Sequence, residues 1–183
     1  MRPQFQYVVK KLEVLSRLSA YDPVLIGTPP LGIQIETSDI DIACCSHDGA
    51  EFEKLVTAEF GGQAGFQVRR PILQGHHSIV VKFRAMGWDI ELFCQPISTA
   101  MQWGVRHFQV EKRLLEICPG LRERVIELKQ AGMKTEPAFA SALDLLGDPY
   151  AAMLDLEQKS DSQLMQLTLE NFGASDPGDF GSR

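Results

Sequence analysis

Apolar residues recur at helical spacing at the start of the chain. Phe5, Val8, Leu12, Leu15 and Leu18 predict an amphipathic helix over residues 3–19. After Pro23, Val24-Leu25-Ile26 predicts a short strand ending at Gly27, and residues 28–37 (TPPLGIQIET) predict a loop. The pattern then changes period. In residues 38–45 (SDIDIACC), Ile40, Ile42 and Cys44 share one face of a strand and Asp39, Asp41 and Ala43 the other. Asp48 is placed to cap a helix over 49–60, closed by Gly61-Gly62. Three further strands are predicted near 65–72, 77–84 and 88–95, the last two joined by a tight turn at Met86-Gly87. In the last, Trp88, Ile90 and Leu92 oppose Asp89, Glu91 and Phe93.

From residue 98 the pattern is helical. Ser98 or Thr99 caps a helix to about 117, and Pro119 opens another that Gly132 closes. Thr135 caps a helix over 136–146, Asp148-Pro149 starts the next, and a last helix covers 161–171. The expected fold is α+β: a mixed β-sheet with helices on one face over residues 1–97, then a helical region over 98–170. The tail, 171–183, ends in GASDPGDFGSR and is expected to be disordered.

Composition narrows this picture modestly. A chain of 183 residues can bury roughly 70% of its unfolded surface without staples. A net charge of −6 argues against a nonspecific nucleic-acid binder, which needs a basic surface to release counterions. There is no signal-peptide pattern and no run of ~18 apolar residues, so no membrane association is expected and a cytoplasmic protein is. Cys44, Cys45, Cys94 and Cys118 show no zinc-knuckle spacing and read as reduced, buried small hydrophobes.

The carboxylates carry the chemistry. Asp39 and Asp41, at i and i+2 on one strand, project from the same face with backbones about 6–7 Å apart. Two anions so placed repel unless water or a cation lies between them. Asp89 and Glu91 have the same phase, and a sheet that brings the two pairs together makes a hard-cation site suited to Mg²⁺ and substrate phosphates. On phase alone, Asp89 and Glu91 remain alternatives for the third position. Gly27 precedes this region, where a glycine lets backbone N–H groups approach a phosphate and the following Thr28 hydroxyl can donate to it. Neither a Walker loop nor a dinucleotide fingerprint is present.

Together, V-L-I-G-T, a spacer, S-D-I-D-I and the later W-D-I-E-L-F resemble the polymerase-beta-type nucleotidyltransferase superfamily. The segments G-T-P-P-L-G-I-Q-I-E-T-S-D-I-D-I, E-L-F-C-Q, R-H-F-Q-V-E-K-R-L-L and G-M-K-T-E-P-A-F-A-S-A-L-D-L-L-G-D-P-Y resemble a bacterial family of small nucleotidyltransferase-like proteins, over about residues 25–155. The resemblance implies a nucleotidyltransferase fold, Mg²⁺ (Mn²⁺ as the alternative) and a nucleoside triphosphate. It implies Asp39, Asp41 and Glu91 as metal ligands and catalytic carboxylates, and Gly27 and Thr28 at the phosphates. Thr28 stands where Gly or Ser is usual, and Glu91 where Asp is commoner.

Ser38 can steady the loop or a phosphate, and Lys134, between two helices, can reach a triphosphate. Arg106 and His107 can line an acceptor side, while Glu111 and Glu136 are candidate bases. His76 and His77 point opposite ways on a strand, and Trp103 and Phe108 read as packing residues. The expected activity is transfer of a nucleoside monophosphate from the triphosphate to an acceptor: a small molecule first, RNA or protein as alternatives. The competing expectation is a non-catalytic nucleotide- or partner-binding module on the same fold, and homodimerisation is open.

Overall fold

The structure is a computed structural model and describes residues 2–172; of the expected disordered tail, 171–183, residues 171 and 172 end the last helix and the rest lies outside the described residues. By internal contacts the chain divides into two compact units between Phe108 and Gln109.

The first unit is built on a five-stranded mixed sheet. Its strands are β1 (Val24–Ile26), β2 (Ile40–Cys45), β3 (Ala64–Arg69), β6 (Ile79–Ala85) and β7 (Trp88–Gln95), in the order β1-β2-β7-β6-β3. β2 and β7 run parallel and the other neighbours antiparallel. Alternation decides the faces. Ile40, Ile42, Cys44, Val81, Phe83, Ile90 and Leu92 are all buried in one core. That core is closed by α1 (Phe5–Leu12), α2 (Val14–Arg17) and α4 (Gly49–Phe60) through Val8, Val14, Leu18, Phe52, Val56 and Phe60. Phe60 stacks on Phe83 with ring centroids 5.1 Å apart. Asp48 caps α4, its carboxylate accepting from the Glu51 N–H at 3.0 Å.

Three local expectations are corrected. The first helix breaks at Glu13, which takes a left-handed conformation (φ 53°) and re-phases the chain so that Val14 and Leu18 also reach the core. The Pro-rich segment after Gly27 is not wholly loop. Its start is α3 (Thr28–Leu31), with prolines in the first turn and Gly32 closing it at φ 70°. His76 and His77 do not begin the long strand; they form β5, which pairs with β4 (Ile72–Leu73) in a separate two-stranded hairpin.

The sheet's second face is divided into rows. Ala43 stands opposite Phe93, and Phe93 opposite Val80. Ala43 and Ile26 are covered there by Val105 and Phe108, from the first turns of α5 (Trp103–Ile117). Two residues back along β2 the row is charged: Asp41 opposite Glu91, and Glu91 opposite Lys82.

The second unit is helical. After the division within α5 it contains α6 (Leu121–Gln130), α7 (Thr135–Ala142), α8 (Pro149–Asp155) and α9 (Asp161–Phe172). Asp148 caps α8 as expected, accepting from the Ala151 N–H at 2.9 Å. Among the described residues no helix is long and apolar enough to cross a membrane.

Candidate functional site

The charged row is set by strand pairing rather than by chance proximity. β2 and β7 pair with Asp41 directly opposite Glu91, so both carboxylates leave the same face of neighbouring strands. Asp39 lies just before β2, two residues from Asp41, and its charge acts on the Asp41 carboxyl. Burial pushes the Asp41 carboxyl well above the usual carboxylate range; the charges of Asp39 and then Glu91 add to this, and Lys82 partly offsets it. Ionised Asp41 therefore needs a neutralising partner: a proton, or a cation at the same place.

The backbone makes room for that carboxylate. Gly27 takes φ 79°, and a Cβ built on it would fall 2.3 Å from Asp41 Oδ2. Only a glycine lets the end of β1 pass this close. The oxygens of Asp39 and Asp41 over a bare backbone are a donor set suited to a hard divalent cation.

Ser38 organises the approach to the pair. Thr28 Oγ1 donates to Ser38 Oγ at 2.9 Å, and the Ile35 N–H donates to the same oxygen at 3.0 Å. Both hydroxyl residues are buried. Arg2, which sequence reasoning missed, locks the loop from outside. Its guanidinium donates to the carbonyls of Ser38 (2.8 Å) and Ile35 (2.7 Å) and lies 3.5 Å from the Trp88 ring centroid. Trp88 in turn donates its Nε1–H to Pro3 O at 2.9 Å.

Glu91 makes an ion pair with Lys82, and among the described residues no three His, Cys, Asp or Glu side chains gather as a metal cage. Asp89 sits one row beyond, paired with Arg84 at 2.8 Å, both largely exposed. Lys134 is exposed at the N-cap position of α7 in the second unit. Glu111 is also in that unit, buried, its carboxyl pushed well up by desolvation and then by Glu136, with Lys129 opposing. Glu136 lies in the first turn of α7. His107 is buried, edge-on to Trp103 at 6.2 Å between ring centroids. Cys44 and Cys94 are buried opposite each other as free thiols, Cys94 pushed up to about 12 by desolvation.

Residues 7–156 match the family described as a domain of unknown function, DUF4269. The chain belongs to the DUF4269 family. No curated protein sequence matches this DUF4269 chain. Solved structures do match its fold. Cid1 poly(U) polymerase in its MgGTP-bound form superposes with a TM-score of 0.54 at 12% identity, over 82% of this chain and 47% of that one. The GLD-2/RNP-8 complex matches with a TM-score of 0.52 at 10% identity, over 90% of this chain and 74% of that one. This DUF4269 chain thus has a nucleotidyltransferase-like α+β fold and spans about half the length of the Cid1 chain.

Proposed function

We propose that this DUF4269 protein is a metal-dependent nucleotidyltransferase that moves a nucleoside monophosphate from a nucleoside triphosphate to an acceptor, releasing pyrophosphate. The observation that carries this reading is the row in which Asp41 stands opposite Glu91, with Asp39 two residues before Asp41 and its charge acting on it, on a nucleotidyltransferase-like sheet.

Asp39 and Asp41 would hold Mg²⁺ or Mn²⁺, and Glu91 is the third carboxylate. Glu91 is favoured over Asp89 because it shares the row of Asp41. When bound, the metal supplies charge neutralisation at the phosphates and acidifies the acceptor hydroxyl. The chain's own residues do the positioning. Gly27 keeps the β1 end flush with Asp41, so the backbone from Gly27 to Thr28 can approach a phosphate. Arg2, Ser38 and Thr28 fix the loop that presents Asp39. Asp41, whose carboxyl is pushed up by burial and then by the charges of Asp39 and Glu91, would hold a cation in its ionised form. Most of the catalysis is placement and electrostatics.

Cid1, similar in fold, is described with MgGTP and with MgATP, which supports a magnesium-bound triphosphate as substrate here. The acceptor is a small molecule on this reading, since a net charge of −6 disfavours a long polyanion. A second reading, a nucleotide- or partner-binding module without turnover, is favoured by the engagement of Glu91 with Lys82.

The two readings separate when the protein is incubated in cell extract with each α-labelled triphosphate and Mg²⁺. Transferase activity labels one class of acceptor, and Asp39→Asn with Asp41→Asn abolishes the label. No labelling with any of the four nucleotides would contradict the enzyme.

A further inference from the structure

Lys82 lies in the same row as the carboxylates. It stands opposite Glu91 in the β6–β7 pairing, and Glu91 stands opposite Asp41 in the β2–β7 pairing, so all three side chains leave one face of the sheet. The Lys82 ammonium pairs with Glu91 Oε2, while the charge of Asp39 acts on Asp41. Lys82 is therefore the cation already resident at the carboxylates, and Glu91 points its charge at Lys82.

This contact is built to be exchanged. Both partners are partly solvated, with side-chain exposures of 48% for Lys82 and 26% for Glu91, where a single ion pair contributes little. The bond to Glu91 is the main cause that raises the Lys82 ammonium, with desolvation and, least, the charge of Arg69 opposing it. A lysine is a point charge on a flexible stem, free to swing once its partner is taken. A divalent cation held by Asp39 and Asp41 would repel the ammonium and compete with it for Glu91.

We propose that Lys82 is a positioning residue: it keeps Glu91 away from Asp41 until a divalent metal takes Glu91 from it, and its freed ammonium then meets the phosphate anion that arrives with the metal. This rests on the proposed assignment of Asp39, Asp41 and Glu91 as metal ligands. No bond is made or broken; one ion pair is exchanged for two.

The test measures Mn²⁺ affinity by titration, first alone and then with inorganic pyrophosphate, on the full chain. Lys82→Met should bind Mn²⁺ alone roughly two- to fivefold tighter, the scale on which an exposed ion pair competes, and should bind pyrophosphate with Mn²⁺ more weakly than wild type. Lys82→Arg keeps the charge and should follow wild type. Arg84→Met removes the same charge one row away and should leave both affinities unchanged. Equal tightening in Arg84→Met, or none in Lys82→Met, overturns the exchange; unchanged pyrophosphate affinity in Lys82→Met overturns the phosphate role. If the underlying ligand assignment fails instead, wild type and the Asp39→Asn/Asp41→Asn double variant bind Mn²⁺ alike, which overturns both.

Discussion

A Cβ on Gly27 would stand 2.3 Å from Oδ2 of Asp41. The end of β1 and the carboxylate of β2 thus occupy space that no other residue at position 27 leaves open. Gly27→Ala imposes strain at φ 79° and also drives Asp41 from its place. Gly75 has the same φ, 79°, and nothing within 4 Å of its would-be Cβ, so Gly75→Ala reports backbone strain alone. Each substitution should destabilise by about 1–3 kcal/mol in urea unfolding. Only Gly27→Ala should also weaken binding of Mg²⁺ with a nucleoside triphosphate. Equal nucleotide binding in the two variants would separate Gly27 from the site.

The two acidic residues of β7 should behave differently. Glu91→Gln alters the row shared with Asp41, whereas Asp89→Asn breaks only an exposed pair with Arg84. Nucleotidyl transfer should fall at least tenfold in Glu91→Gln and stay within about twofold of wild type in Asp89→Asn, the exposed pair contributing little. The reverse order, measured as initial rates under saturating Mg²⁺, would make Asp89 the third carboxylate.

Arg2 bridges the N-terminal segment and the loop of Asp39 by two hydrogen bonds and a ring contact. Arg2→Ala should cost about 1–3 kcal/mol, the range for charge-assisted hydrogen bonds at a partly buried site. Arg2→Lys should recover little of it, because a lysine cannot reproduce the planar fork that reaches two carbonyls while lying on Trp88. Full recovery in Arg2→Lys, by chemical denaturation, would reduce Arg2 to a point charge.

Glu111 supplies a pH dependence. Its carboxyl is raised in the folded chain by burial first and Glu136 second. A carboxyl raised on folding binds its proton more tightly in the native state, so the fold loses stability as pH climbs above the ordinary glutamate range toward the raised value. Glu111→Gln has no proton to lose. Its stability relative to wild type should therefore increase between pH 4 and pH 8, followed by urea unfolding at each pH. A difference that is flat across that window would mean that Glu111 is not held neutral.

Much of this was readable in the chain. The strand at 88–95 and the helix at 49–60 fall where alternation and the Asp48 cap put them. Even the Lys82–Glu91 contact was implicit, since a two-residue turn at Met86-Gly87 fixes which residues of the flanking strands face each other. What alternation could not supply is the parallel pairing of β2 with β7, a long-range contact that sets Glu91, and not Asp89, opposite Asp41. The break at Glu13 was hidden because apolar spacing continues through it and glutamate is a good helix former. The β4–β5 hairpin was hidden because its strands are two residues long and Gln74-Gly75 is a weaker turn signal than Asn-Gly. Arg2 acts 36 residues away from Ser38, a distance at which local pattern says nothing.

The central claim is that Asp39 and Asp41 hold a divalent metal that carries a nucleoside triphosphate. The most direct test is the thermal shift of the full chain with each triphosphate, with and without Mg²⁺, for wild type and for Asp39→Asn/Asp41→Asn. The account predicts a Mg²⁺-dependent rise in melting temperature for at least one nucleotide in wild type, about 2.7 kcal/mol of added stability at a hundredfold excess over Kd, and no such rise in the double variant. The same rise in both proteins would contradict it.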